Sequence, residues 1–477
     1  MCLGFSALAL PGIAGAHSFG RMYNLPVPFW LYAYGAAAAL LLSFLLVAWF
    51  ATADAARREP AARDLRSAAW VRGLHRLHLV TGLKGLSVLA LLLCLASGFF
   101  GNRNPYLNFS MTAFWIVFVL GFAYLTAVIG DLYAAINPWR VIAETIGRVW
   151  RGYTRGRVQY PVALGYWPAL ALYMAFIWIE LFGNTRPFSL AVILAAYSVL
   201  NLLGVWLVGA AAWFRHCEFF AVFFRLLALM APLDYAPGRL RLRWPFAGLL
   251  EQRADSFGLL LFALFMLSST AFDGLRMTVP WFKLFWADPF GVIQPLVGSH
   301  PIRAYPILRS VYLAWETAWL LLSPFLYLAV YLVFIALAKW SARSPLSLRE
   351  LALRFGFSML PIALVYNVTH YYTLILTQGV KILSLLSDPF GWGWNLFGTA
   401  QLFRAPILPE MGTVWHTQVG LILFGHIVSV YIAHLEALRT FPTRRAATLS
   451  QLPMLALMMV FTTVGLWILA QPIQSGI

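Results

Sequence analysis

Ten stretches of this chain are apolar over roughly 20 residues, the length an α-helix needs to cross the hydrocarbon core of a bilayer. They lie at about 27–50, 80–100, 110–136, 162–183, 187–212, 256–275, 311–338, 355–379, 415–438 and 451–474. Inside lipid every backbone N–H and C=O must find its partner within the segment, so runs of this kind form helices. The expected fold class is therefore all-α: a polytopic transmembrane helical bundle of about ten helices, forming a single domain over 17–477. Only 11% of the residues are charged, against about a quarter in ordinary soluble domains, which excludes a water-soluble globule.

The chain has 34 Lys and Arg against 17 Asp and Glu, a formal net charge of +17. In a soluble protein that balance would point to nucleic acid. Here the basic residues fall between the apolar runs. With the N-terminus placed outside, the inner connections 51–79, 137–161, 213–255, 339–354 and 439–450 hold 24 of them and the outer segments hold nine, with Lys84 inside the second run. That bias orients bacterial inner-membrane proteins and puts both termini outside. The partner of this charge is the lipid bilayer, and no nucleic acid is implied. Cys2, Cys94 and Cys217 are too few and too scattered for a disulfide framework or a cysteine metal site.

Residues 1–16 are small and apolar, and Ala14-Gly15-Ala16 before His17 has the form of a signal-peptidase site, although no Lys or Arg precedes Arg21. Cleavage there would expose the amine and imidazole of His17 together as a metal chelate. The alternative is an apolar stub followed by an uncommitted histidine.

Three motifs recur at a spacing of 100 or 101 residues. Asp288-Pro289-Phe290-Gly291 matches Asp388-Pro389-Phe390-Gly391, Arg303 to Leu308 matches Arg404 to Leu408, and Trp315-Glu316-Thr317 matches Trp415-His416-Thr417. These define parallel hairpin repeat units at about 256–340 and 356–440, related by an axis along the membrane normal. A weaker echo, Phe100-Gly101-Asn102 with Pro105 against Phe182-Gly183-Asn184 with Pro187, extends the pattern to the preceding helices. The long aromatic outer loops are expected at the interface or folded over the bundle. The apolar segment 217–233 is expected as an interfacial helix, Asn137-Pro138-Trp139-Arg140 as a stop at the membrane surface, and His216 as a surface residue.

Ionisable and imidazole groups inside a bilayer are costly, so each is a functional candidate. Tyr366, Asn367 and His370 share one face of the eighth helix. His416, His426 and His434 lie on the ninth, with His426 at a depth matching His370. Asp273 closes a Ser268-Ser269-Thr270 stretch, and Glu316 opens the seventh helix. Asp273, His370 and His426 are the expected catalytic residues, and with His17 they form the expected ligand set for zinc, copper, manganese or iron. Glu316, His416, Asn367 and Tyr366 would support them or line the entrance. The competing account makes His370, Asn367 and His426 hydrogen-bonding contacts between helices.

Ala16 to Gly20, Leu25-Pro26-Val27-Pro28-Phe29-Trp30-Leu31-Tyr32, Ser268 to Leu275, Tyr366 to His370, Asp388 to Thr399, Gly425-His426 and Ala433-His434 together resemble the integral-membrane fenitrothion hydrolase-like family over nearly the whole chain. The resemblance implies hydrolysis of an organophosphate P–O-aryl bond and a second membrane-protein subunit. Two other functions remain open: a transporter or channel for a small solute, proton or metal ion, and a non-catalytic subunit holding haem between histidines.

Overall fold

A computed structural model describes residues 27–52, 56, 62–66, 78–236, 239–403, 407 and 410–471. Segment 1–16, His17 and part of the Arg404 to Leu408 motif lie outside the described residues.

The structure is the all-α polytopic bundle expected. Nine helices among the described residues are long and apolar enough to cross a membrane. They are α1 (Phe29–Phe50), α2 (Leu79–Phe100), α3 (Phe109–Ile129), α7 (Pro187–Val208), α10 (Phe257–Arg276), α11 (Tyr305–Ser341), α12 (Leu360–Thr377), α13 (Met411–Thr440) and α14 (Arg444–Ala470). The remaining expected span is the shorter apolar helix α6 (Trp167–Phe182). Helix α10 is the axis of the bundle, buried without a break from Gly258 to Asp273, with α6, α11, α12 and α14 packed around it. One face of the bundle carries both Asp-Pro-Phe-Gly loops (the DPFG face) and the other carries the Arg-rich connections (the arginine face).

Two segments, expected in part as the ends of the third and fifth spans (110–136 and 187–212) and in part at the membrane surface, instead re-enter the bundle from the arginine face. After α3, Gly130 turns the chain at φ 94° and α4 (Leu132–Ile136) runs back inward, placing Tyr133 against Phe118 and Phe122 of α3. At Asn137 the chain reverses again, and α5 (Pro138–Val149) returns to the arginine face. Asn137 is 1% and Trp139 2% exposed. The Trp139 ring stands edge-on to Tyr197, the middle residue of α7, and its Nε1 donates to Ser198 Oγ at 2.8 Å. A surface stop is therefore the wrong account of Asn137-Pro138-Trp139, because tertiary packing supplies an apolar environment that the interface only half provides. Arg140 does not reach outward either: it donates to the Ala134 carbonyl and lies over the Phe214 ring.

The second excursion is built alike. Gly209 (φ 86°) ends α7, and α8 (Ala210–His216) climbs back along it, with Trp213 Nε1 donating to Asn201 Oδ1 at 2.8 Å. At Glu218 the chain reverses into α9 (Phe219–Ala228). Phe220 packs against Phe114 and Phe118, and Phe224 against Phe118 and Phe122, so α9 descends along the inner half of α3. All of its residues but Phe223 and Arg225 are buried, so it is inserted in the bundle rather than lying on the membrane, which corrects the interfacial reading of 217–233. An aromatic shell from α3, α6 and α7 takes up its apolar surface. His216, expected at the surface, is partly covered between the rings of Tyr160 and Tyr166.

A small antiparallel sheet closes the arginine face: β1 (Ala62–Asp64), β2 (Leu233–Ala236) and β3 (Arg239–Arg243), in the order β1-β3-β2. From β3 the buried Arg243 reaches Glu251 at 3.0 Å and the Ala228 carbonyl at 3.0 Å, which fastens the end of α9.

The two Asp-Pro-Phe-Gly loops share a turn geometry. Asp288 Oδ1 accepts from the Val292 N–H, and its Oδ2 accepts from Ile293 and Gln294. Asp388 Oδ1 and Oδ2 accept from Trp392 and Gly393. The first loop folds inward, burying Trp281, Phe285 and Trp286. The second lies across the α2–α3 connection, where the carbonyls of Phe390 and Pro389 accept from the N–H groups of Asn102 and Phe109.

Candidate functional site

On the DPFG side of α10, Asp273 has no exposed surface. A carboxylate removed from water must be met by donors or positive charge, and neighbouring helices supply them. Tyr371 OH donates to Oδ2 at 2.7 Å, and His370 Nε2 lies 2.9 Å from the same oxygen. Arg276, one turn along α10, donates from Nε to Oδ1 at 3.3 Å. With Asp273 ionised and accepting, the imidazole N–H of this contact is the one at Nε2.

Arg276 links this centre to its surroundings. It donates to the Leu181 carbonyl at the end of α6 (3.1 Å), covers the Phe182 ring, and lies 3.9 Å from Glu316 Oε2. Glu316 is buried, and its other oxygen accepts from Trp281 Nε1 at 3.3 Å. Asp273, Glu316 and His370, singled out separately in the sequence, thus belong to one network that also includes Arg276, Tyr371 and Trp281. Gly274 lies beside the imidazole: a Cβ there would stand 3.8 Å from His370 Cε1.

The other expected site residues lie elsewhere. His426 is fully buried beside the Tyr366 ring; its Nδ1 pairs with the Ile422 carbonyl of its own helix, and its Nε2 has no hydrogen-bond partner among the described residues. Tyr366 donates to the Phe461 carbonyl at 2.5 Å, and Asn367 offers its backbone carbonyl to Tyr124 OH. His416 is exposed, with Nδ1 at 2.7 Å from the Gly412 carbonyl, and His434 packs against Phe44. Among the described residues no three His, Cys, Asp or Glu side chains form a group able to hold a metal ion. Arg276 already supplies the positive charge next to Asp273. Among the described residues the donors around Asp273 therefore do not fit a transition metal.

A further buried carboxylate, away from this network, was not singled out in the sequence. Glu218, also without exposed surface, caps α9 at the inner tip of the second excursion. Its Oε1 accepts from Tyr197 OH (2.5 Å) and the Phe220 N–H (3.2 Å). Its Oε2 accepts from the Ala221 N–H (2.7 Å) and from Asn137 Nδ2 (3.2 Å), the residue at the tip of the first excursion. Asn137 Oδ1 in turn caps α5 through the Arg140 N–H. The N-termini of two half-helices therefore meet around one carboxylate, level with the middle of α7. The available signal was a lone acid at the head of an apolar run too short to span, with an Asn-Pro at the corresponding place one hairpin earlier.

No family model, curated protein or solved structure matches the chain.

Proposed function

We propose that this chain is an inner-membrane transporter for a small charged solute, with both termini and both Asp-Pro-Phe-Gly loops on the outer side. The observation that carries this reading is the pair of interrupted hairpins whose half-helices begin at mid-depth around Glu218 and Asn137. Discontinuous helices with N-termini at the bilayer centre suit a solute site, because their unpaired N–H groups and dipoles bind charge without lipid contact. The orientation rests on the excess of Lys and Arg in the connections assigned inside. The recurring motifs, and the like placement of Gly130 with Gly209 and of Asn137 with Glu218, support parallel repeats. In this scheme the Asp273–His370–Arg276–Glu316 network forms an outer relay of protons or charge. Uptake of ions and small organic acids into proteoliposomes, alongside E218Q and H370A proteins, tests the proposal. Wild-type uptake that both substitutions abolish supports it, and no flux above empty vesicles for any solute overturns it.

A second reading is hydrolysis of organophosphate esters, favoured by one observation, the 2.9 Å contact between Asp273 and His370. A carboxylate that fixes the tautomer of an imidazole prepares its other nitrogen to take a proton from water. Release of nitrophenolate from an aryl phosphotriester by the purified protein, lost in H370A and D273N, would support this reading.

A further inference from the structure

The atoms that converge on Glu218 are all donors: two backbone N–H groups of α9, the Tyr197 hydroxyl and the Asn137 amide. The side-chain oxygen of Asn137 is already taken by the Arg140 N–H. Two half-helix N-termini add partial positive charge, and Arg140 sits in the first turn of α5. A fifth donor stands in the same cluster of rings: Tyr133, packed on Phe220 and Phe224, has a buried hydroxyl with no hydrogen-bond partner among the described residues. No ion pair to Glu218 occurs among the described residues, so its negative charge is held by donors and dipoles, with the charge of Arg140 acting from beyond contact. Such a cradle is selective for negative charge and does not require that the charge belong to a side chain.

We propose that this cradle is a binding site for a small monovalent inorganic anion, such as chloride or nitrate, which the Glu218 carboxylate fills in the present conformation. The inference rests on the transport reading and names its solute class. The exchange balances in charge: Glu218 takes up one proton and becomes neutral, its carboxyl leaves the cradle, and one anion enters. A neutral carboxyl cannot satisfy all the donors that the carboxylate does, so protonation leaves donors in surplus and the anion completes them. The charged and titratable groups facing Glu218 are Arg140 from α5, Tyr133 from α4, with Asp131 at its head, and Tyr197 from α7, while Tyr173 of α6 stacks on the adjoining Phe219. Of these only Arg140 brings positive charge, and it favours an anion in either state.

The test is thermal unfolding of the full-length protein in detergent, in chloride, nitrate or formate, against gluconate and sulfate at matched ionic strength. E218A should unfold at a lower temperature than wild type in gluconate and recover most of the loss in chloride, nitrate or formate, with saturation. Adding N137A should remove the recovery. Wild type should gain from chloride only at acidic pH. E218Q keeps the side-chain volume and is read in the same way, which carries the test if E218A does not fold. Equal melting in all salts, or an equal gain from sulfate and gluconate, overturns the proposal. Binding and flux fail separately: salt-specific stabilisation without uptake overturns transport and leaves the site, whereas uptake without it overturns the site alone.

Discussion

His370 Nε2 lies 2.9 Å from Asp273 Oδ2, on a different helix and 97 residues away in the chain. Tyr371, the next residue of α12, reaches the same oxygen. Breaking a buried ionic cluster by removing one partner costs about 3–5 kcal/mol, because the other charges are left uncompensated. D273A is expected to lose about that much, since it takes from Arg276 the nearer of its two carboxylates and removes the acceptor that Tyr371 and His370 share. Y371F, which removes one donor from a carboxylate with others in place, should lose about 1.5–3 kcal/mol. Equilibrium unfolding in detergent checks the ranking, and a D273A protein as stable as Y371F would refute it.

Burial of the first re-entrant tip makes Trp139 a core residue. Trp139→Ala should cost about 3–5 kcal/mol, the range for emptying a large aromatic site. A Trp resting at a lipid interface would cost far less. Thermal unfolding separates the two, and quenching by brominated lipid should not reach Trp139 fluorescence in a protein whose other tryptophans are replaced.

Gly130 and Gly209 turn the chain into the two hairpins at backbone angles that essentially only glycine adopts (φ 94°, ψ −174° and φ 86°, ψ 153°). A Cβ on Gly130 would stand 2.4 Å from the Leu233 carbonyl oxygen, and one on Gly209 2.8 Å from that of Arg155. G130A and G209A should each lose at least about 1–3 kcal/mol from backbone strain alone. Control substitutions at Gly35 and Gly420, where a Cβ meets nothing within 4 Å, should be nearly neutral. Expression level and melting temperature report both sets.

In the first Asp-Pro-Phe-Gly loop, partial desolvation by itself would raise the pKa of Asp288. The N–H groups of Gln294, Val292 and Ile293 outweigh it and hold the carboxyl below the ordinary aspartate range. Because the folded value lies below the unfolded one, the loop gains stability from this group above the ordinary range and loses it as the pH falls through the folded value. Hydrogen-exchange protection at Val292, Ile293 and Gln294, taken relative to the intrinsic rate at each pH, should fall on acidification in wild type. In D288N protection should be lower than in wild type at neutral pH and free of that acid step.

Hydropathy alone located the nine spanning helices among the described residues and the shorter α6, though it ran the third and fifth on past Gly130 and Gly209, because the cost of leaving a backbone unsatisfied in lipid depends on composition and length rather than on neighbours. Depth counting also matched His370 with His426, since rise per residue is a property of the helix. It could not say which residues would touch. The rotation of α12 and α13 sends His370 to Asp273 and leaves His426 beside Tyr366, and that rotation is set by packing around α10. The re-entrant segments were beyond sequence reading for a related reason. Helices of 5 to 12 residues are too short for hydropathy to separate lying on a membrane from insertion into a protein. What decided it was the aromatic shell of Phe114, Phe118, Tyr173, Phe176 and Tyr197, assembled from three different helices. Glu218 meets Asn137 only because that shell holds both hairpins at one depth.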